Sequence, residues 1–128
     1  MKLSGIGVDI IENSRIKKMI KNKFFLKRIF SKYEILVSKK VKNKTSFFAK
    51  RFASKEAFSK SIGTGISNSL NFKDIIIKND KTGKPFFHIT KKIKSIIKKK
   101  FKVTKFNFIL SISDEKNYSI AFVIFQKK

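Results

Sequence analysis

A carboxylate and an ammonium group stand one helical turn apart in the segment 48–65, FAKRFASKEAFSKSIGTG. The pattern predicts a helix that ends near Gly63, and a spacing of four residues puts Glu56 and Lys60 on one face of it. Phe52 lies on the same face one turn earlier, so an apolar stripe leads into the charged pair and shields it in part from water. The pair can take part in ligand chemistry, or it can be a surface ion pair that stabilises the helix by about 0.2–0.5 kcal/mol.

Asp9 is a second acidic residue of interest, because two glycines accompany it. Residues 4–10, SGIGVDI, alternate between apolar and small or acidic residues, which predicts a strand. The residues that we expect to face the core are Ile6, Val8 and Ile10. Gly5 and Gly7 share the opposite face with Asp9, and such a pair indicates that a ligand or another backbone comes close. Asp9 could equally bond amides near the end of the strand.

Other acidic residues have structural interpretations. Ser31 and Glu34 have the spacing of a capping box at the start of a helix. Glu12 precedes the first predicted helix, where a carboxylate is favourable near the positive end. Asp74 and Asp80 flank a strand and a turn, where aspartate commonly bonds local backbone.

The remaining elements follow from the spacing of apolar residues and from turn signals. Helices are expected from residue 13 or 14 and over 24–29, 32–40, 45–62 and 91–100, and strands over 74–78, 85–89, 106–113 and 118–125. The last two strands form a closing hairpin. The pattern predicts an α/β fold of the α+β type, a single domain spanning 1–128 in which a largely antiparallel sheet packs against one long central helix.

Composition narrows the possible classes of protein. The chain has 128 residues and no cysteine, which excludes a disulfide framework and a thiol nucleophile. We expect a cytoplasmic protein with no membrane contact, because acidic residues interrupt the N-terminal apolar stretch and no apolar run could cross a bilayer. The net charge of +24 would favour binding to a polyanion such as nucleic acid. However, the charge is almost all lysine, and lysine, isoleucine, phenylalanine and asparagine all have AT-rich codons, so codon bias could explain much of it.

Four segments of the chain form a recognisable set. They are GIGVDIIE at 5–12 with Arg15 and Ile16, FAKRFASKEA at 48–57 continuing through Lys60 to GTGI at 63–66, ND at 79–80 with GKP at 83–85, and LSISDE at 110–115 with Tyr118 and Ala121. Together they resemble the small bacterial holo-[acyl-carrier-protein] synthases, a family of phosphopantetheinyl transferases. The segments occur in the order and at the spacing typical of that family, and the resemblance extends over the whole chain.

The resemblance implies a phosphopantetheinyl transferase fold and a reaction. The phosphopantetheine arm of coenzyme A is moved to a serine of apo acyl carrier protein, for fatty acid biosynthesis. It implies Mg²⁺ as cofactor, and Asp9 and Glu56 can supply two oxygen ligands. Lys60 is the ammonium group expected to stabilise the pyrophosphate. The residues expected to line the coenzyme A cleft, with Lys60, are Ser59, Gly63, Gly65 and Pro85, although Gly63 could simply end the helix and Pro85 start a strand.

One position departs from the family pattern. Many members have histidine after Ser-Ile-Ser, and this chain has Asp114 followed by Glu115. Either carboxylate could accept the proton of the substrate serine, directly or through water. The alternative is that both serve the hairpin turn.

The resemblance also implies partners. Acyl carrier proteins are acidic, and a basic first helix with Arg15, Lys18 and Lys21 would attract them. The family is usually a homotrimer with clefts at subunit boundaries, and burying an interface would help a small chain with fifteen phenylalanines. Two alternatives remain: a lysine-rich nucleic-acid-binding module, which leaves Gly5, Gly7 and the acidic residues unexplained, and a catalytically impaired structural relative.

Overall fold

A computed structural model describes residues 1–66 and 69–128. In chain order the elements are β1 (Lys2–Glu12), α1 (Asn13–Met19), α2 (Lys23–Ile29), α3 (Lys32–Ser38), α4 (Lys44–Ser61), a 3₁₀ turn (Phe72–Asp74), β2 (Ile76–Asn79), β3 (Pro85–His88), α5 (Lys91–Phe101), β4 (Phe106–Asp114) and β5 (Tyr118–Lys127). Each predicted element is present. The strand expected from residue 74 begins at Ile76, because Asp74 closes the 3₁₀ turn by accepting a bond from the Asn71 amide.

The strands form two antiparallel sheets. One has the order β1-β5-β4, with β5 in the centre, and the other is the hairpin of β2 and β3. In the first sheet Val8 pairs with Phe122, and Asp114 pairs with Ser119 beside the β4–β5 turn. The prediction of a mixed helical and antiparallel fold is confirmed, with the strands divided between two sheets.

Helix α4 lies at the centre of the molecule and is buried on most sides. The Asn43 side chain caps its start by accepting a bond from the Ser46 amide. Along the helix, Phe58 is fully buried and stacks on Phe108 of β4 with ring centroids 4.3 Å apart. Because α4 packs on β1 and β5, residues near its end are held against the sheet. Within the described residues, none of these helices has both the length and the apolar content needed to cross a membrane.

The orientation of β1 is opposite to the one predicted. Ile6, Val8 and Ile10 are more than half exposed, whereas Gly7 is buried. The alternation was read correctly, but the expectation that the apolar residues face the core was wrong. A bulky residue cannot fit under α4 here, so the glycine face turns inward and the apolar face turns outward.

A buried ion pair ties α4 to three other elements. Lys55 and Glu34 are both 0% exposed, with Lys55 Nζ 2.7 Å from Glu34 Oε1. Lys55 also donates to the carbonyls of Phe72 and Ile75. Glu34 forms the predicted capping box with Ser31 and accepts a further bond from the Ile77 amide. Burial lowers the pKa of Lys55 to about 8, and the nearby Glu34 carboxylate opposes that shift.

Candidate active site

Glycine lets β1 approach the backbone of α4 directly. A β-carbon added to Gly7 would overlap the carbonyl oxygen of Ala57, and one added to Gly5 would overlap that of Ser61. Of the two explanations for these glycines, the approach of another backbone is therefore the one observed. The strand lies on the last two turns of α4, and Asp9 follows Gly7 on the same face of the strand.

Asp9 and Lys60 meet across this contact. Lys60 Nζ lies 3.1 Å from Asp9 Oδ1 and 3.0 Å from the carbonyl oxygen of Val8. The Asp9 side chain is 17% exposed and that of Lys60 is 52% exposed, so the pair opens to solvent on the lysine side. The helix and the strand thus supply one charge each, and the observed ion pair of Lys60 is with Asp9.

Glu56 lies one turn before Lys60 and is half-buried. Burial raises its pKa above the ordinary value, and repulsion from the Asp9 carboxylate raises it further, while Lys60 acts in the opposite direction. The Asp9 carboxylate is thus near enough to Glu56 to act on its charge. Asp9 and Glu56 therefore form an acidic pair with one ammonium group beside it.

The acidic pair suits a divalent cation that also binds substrate. Mg²⁺ uses oxygen ligands, commonly one or two carboxylates, with water and substrate phosphate completing the octahedron. Among the described residues no group of three histidine, cysteine or acidic side chains could hold a metal ion. Two carboxylates that repel each other fit a metal whose other ligands come from a phosphate and water.

The loop after α4 begins next to this site. Gly63 and Gly65 have φ angles of 71° and 63°, a conformation that favours glycine, and the Gly63 amide bonds to the carbonyl of Lys60 at 3.1 Å. The expectation that the Ser59 side chain lines the coenzyme A cleft needs a correction. This residue is 1% exposed and its hydroxyl donates to the Glu56 carbonyl, so its side chain does not reach the surface to line a cleft.

The structure does not bring Asp114 and Glu115 to these groups within one chain. Asp114 Oδ2 accepts a bond of 2.7 Å from the Ser46 hydroxyl, in the first turn of α4. Glu56 lies ten residues further along, or roughly 15 Å at 1.5 Å per residue. Both acidic residues line a separate polar cavity of about 560 Å³, together with Asn13, Ser46 and other residues of the two helix starts and the β4–β5 turn.

Pro85 also lies away from the glycine loop. It begins β3 and pairs with Asn79, whose side chain accepts a bond of 2.7 Å from Arg51. Arg51 precedes Gly63 by twelve residues, roughly 18 Å along the axis of α4. The predicted residues therefore lie at different levels of α4: the glycine loop at its end, Pro85 beside its middle and the two acidic residues by its start.

The basic residues predicted to bind a partner lie on the surface. Arg15 and Lys18 are exposed on α1, and Lys21 is exposed just beyond its end. Nearby is a depression of about 630 Å³ with an apolar floor and a basic rim. The floor is lined by Met19, Phe25, Ile29, Phe52, Ile66 and Phe72, and the rim by Lys27, Arg28 and Lys73.

Sequence reasoning missed the partner of Glu34. It assigned this residue a capping role, which is correct, and overlooked Lys55. A signal was available, because Lys55 stands seven residues after Phe48 and seven before Ile62, which are both core residues. A lysine in such a position must find a carboxylate or carbonyls inside the fold.

The fold and the paired acidic residues agree with a comparison to protein families. The model of the 4'-phosphopantetheinyl transferase superfamily matches residues 5–123. The chain therefore belongs to this superfamily. Within it, the chain is 65% identical over 128 residues to the holo-[acyl-carrier-protein] synthase of Pelagibacter ubique, covering 100% of each.

Two solved structures have the same fold. A holo-(acyl-carrier-protein) synthase from Bacillus anthracis, in complex with CoA (3',5'-ADP), is 38% identical with a TM-score of 0.82, and the match covers 98% of both chains. A holo-[acyl-carrier-protein] synthase from Neisseria meningitidis is 34% identical with a TM-score of 0.87, covering 98% of this chain and 100% of that one. The identity and coverage confirm the resemblance predicted from the sequence.

Proposed function

We infer that this protein transfers the 4'-phosphopantetheine group of coenzyme A to a serine of apo acyl carrier protein, releasing adenosine 3',5'-bisphosphate. The observation that carries this inference is the meeting of Asp9, Glu56 and Lys60 where β1 packs on α4. We propose that residues 1–128 act as one transferase domain, in the cytoplasm and in fatty acid biosynthesis.

The reaction is a displacement at phosphorus. The serine oxygen forms a bond to the phosphorus on the pantetheine side of the pyrophosphate, and the bridging P–O bond breaks. The electron pair of that bond leaves with adenosine 3',5'-bisphosphate, and the serine proton passes to a base. Negative charge grows on the leaving and non-bridging oxygens, so fixed positive charge beside them lowers the barrier.

Lys60 can supply that charge from the protein. Its ammonium group is half-exposed and already bonds two oxygens, so a phosphate oxygen can take a similar position. Asp9 and Glu56 are the residues that would hold Mg²⁺, which when bound supplies further positive charge beside the pyrophosphate. Gly63 and Gly65 leave room beside Lys60 for the nucleotide, because no side chain projects from them.

Asp114 and Glu115 can act as base only from another copy of the chain, given their distance from Glu56 along α4. An outward apolar face of the β1-β5-β4 sheet supports self-association, and we propose a homotrimer. The face consists of Ile6, Val8, Ile10, Ile109, Ile120, Phe122 and Ile124, which register places side by side. An apolar patch of this extent marks an interaction surface.

The basic surface of α1 supports an acidic carrier protein as the acceptor. Arg15, Lys18 and Lys21 would attract its negative charge, and the apolar depression beside them could accept apolar side chains. Ile66 lines this depression and follows the glycine loop, so a bound carrier protein would lie close to the coenzyme A site.

Mass spectrometry of apo acyl carrier protein tests the function. Incubation with coenzyme A, Mg²⁺ and the protein should add one phosphopantetheine group to the carrier. Asp9→Ala and Glu56→Ala should abolish the addition, while Lys94→Gln, which removes an exposed charge on α5, should preserve it. Unmodified carrier protein after incubation with the native protein would contradict the proposal.

A further inference from the structure

A lysine from α5 reaches the loop at the end of α4. A β-carbon built on Gly63 would lie 3.5 Å from Lys100 Nζ, so the ammonium group sits directly over the glycine. Lys100 is exposed, and among the described residues no carboxylate lies within ion-pair distance of it. The cation therefore lies beside the loop and is open to solvent.

The end of α4 is a poor place for an anion without such a cation. The last carbonyls of a helix carry partial negative charge and repel phosphate. Lys60, in the last turn, is partly engaged with Asp9 and Val8. A nucleotide that extends from Lys60 toward Gly63 therefore needs further positive charge at the far side of the loop.

The end of α5 supplies that charge. Its last turn contains Lys98, Lys99 and Lys100, and Lys102 follows as the cap. The opposite face of the helix is anchored in the core by Ile93 and Ile97, so the lysines are held on the outer side. The loop thus lies between Lys60 on one helix and Lys100 on another.

We propose that Lys100 binds a phosphate of the nucleotide half of coenzyme A. This proposal depends on the proposed function, in which coenzyme A is the substrate. The pyrophosphate reacts next to Lys60, and the nucleotide also has a 3'-phosphate. Either phosphate group offers the oxygens that an ammonium group binds. Lys100 contributes substrate affinity and takes no part in the displacement.

A purely structural role gives different results. If Lys100 only neutralises the carbonyls of α4, its loss should lower stability and leave coenzyme A affinity unchanged. The variants are Lys100→Gln, Lys100→Arg and, as control, Lys94→Gln, which removes the same charge from the exposed face of the same helix. The readouts are KM and kcat with coenzyme A, KM for the carrier protein, and calorimetric affinity for adenosine 3',5'-bisphosphate.

Lys100→Gln should raise KM for coenzyme A about threefold to tenfold, with kcat and KM for the carrier protein nearly unchanged. Lys100→Arg should recover most of the affinity. Equal KM values for Lys100→Gln and Lys94→Gln would overturn the proposal. With dephospho-coenzyme A, an effect that disappears assigns the contact to the 3'-phosphate, and one that persists assigns it to the pyrophosphate. Calorimetry applies even to a protein without transferase activity, so this proposal and the proposed function can fail separately.

Discussion

At the scale of single residues, Glu56 combines a cost in stability with its proposed role as a metal ligand. Its carboxylate is half-buried next to Asp9, and both burial and repulsion favour the protonated form. A group with a raised pKa in the folded state destabilises that state once it ionises. An acidic residue at a position where a neutral one would be more stable is typical of a functional site.

Glu56→Gln should therefore stabilise the metal-free protein while abolishing transfer. The native protein should lose stability as the pH rises from about 4.5 through the raised pKa of Glu56, because the folded state binds more protons in that window. The variant should lack this loss. At neutral pH we expect a gain below about 1 kcal/mol, since water screens a half-buried group.

Urea unfolding from pH 4 to 8 without divalent metal measures this difference. Glu12→Gln is the control, because Glu12 is exposed and lies on the opposite face of β1 from Asp9, three residues along the strand. A Glu56→Gln variant that is less stable than the native protein across the range would contradict the interpretation.

At the scale of elements, the contact of β1 with α4 sets the geometry of the site. Gly5 and Gly7 allow backbone to pack against backbone, and this brings Asp9 to Lys60. A general rule predicts that alanine stabilises a strand relative to glycine. The structure predicts the opposite at Gly7.

Gly7→Ala should destabilise the protein by about 1–3 kcal/mol and reduce activity, because the added methyl group must push β1 away from Ala57. Gly65→Ala is the comparison. Its positive φ carries a cost of about 1 kcal/mol, but nothing lies within 4 Å of the added carbon. Thermal unfolding of both variants tests this prediction, and a Gly7→Ala variant as stable as the native protein would refute it.

The positions of the helices and strands were predictable from the sequence, but which face of a strand is buried was harder to predict. Periodicity and capping identified α4 and the hairpin of β4 and β5, because these signals are local. The orientation of β1 does not follow from local signals, because it depends on how closely the backbone of Ala57 and Ser61 in α4 approaches the strand. The link between Asp9 and Glu56 came from the family resemblance, and the distance of Asp114 from Glu56 became visible only with the fold.

The buried pair of Lys55 and Glu34 gives another prediction at this scale. Lys55→Met should cost about 3–5 kcal/mol, because the Glu34 carboxylate would stay buried without its cation. The double variant Glu34→Gln and Lys55→Met should recover part of this loss, since the buried charge is gone and the single amide oxygen can still accept from the Ser31 or the Ile77 amide. Chemical denaturation measures both, and a loss below about 1 kcal/mol for Lys55→Met would show that the pair contributes little.

At the scale of the whole molecule, the positive charge opposes association between copies of the chain, and the outward apolar face of the β1-β5-β4 sheet favours it. The net charge of +24 is spread over many lysines and opposes self-association at low salt. The sheet face is an uncharged area within that surface, where Val8 and Phe122 lie side by side. Association through this face would also leave the basic α1 surface available to a carrier protein.

Phe122→Glu should convert the proposed trimer to monomers, because it places a carboxylate in the centre of the apolar face. Light scattering coupled to size exclusion measures the mass. Lys94→Gln is the control, with the same change of one unit in net charge at a lysine on α5. Native protein that is already monomeric at micromolar concentration would exclude the trimer.

The bond from Lys60 to the Val8 carbonyl also bears on selectivity. β1 lies at one edge of its sheet, and Lys60 occupies both an edge carbonyl and the Asp9 carboxylate before any ligand arrives. Two of the three N–H donors of Lys60 are thus engaged, so a simple anion such as chloride or a single phosphate can use only the third unless it displaces these oxygens. Only a ligand with several simultaneous contacts can make the exchange favourable, which should let the protein ignore the abundant simple anions around it.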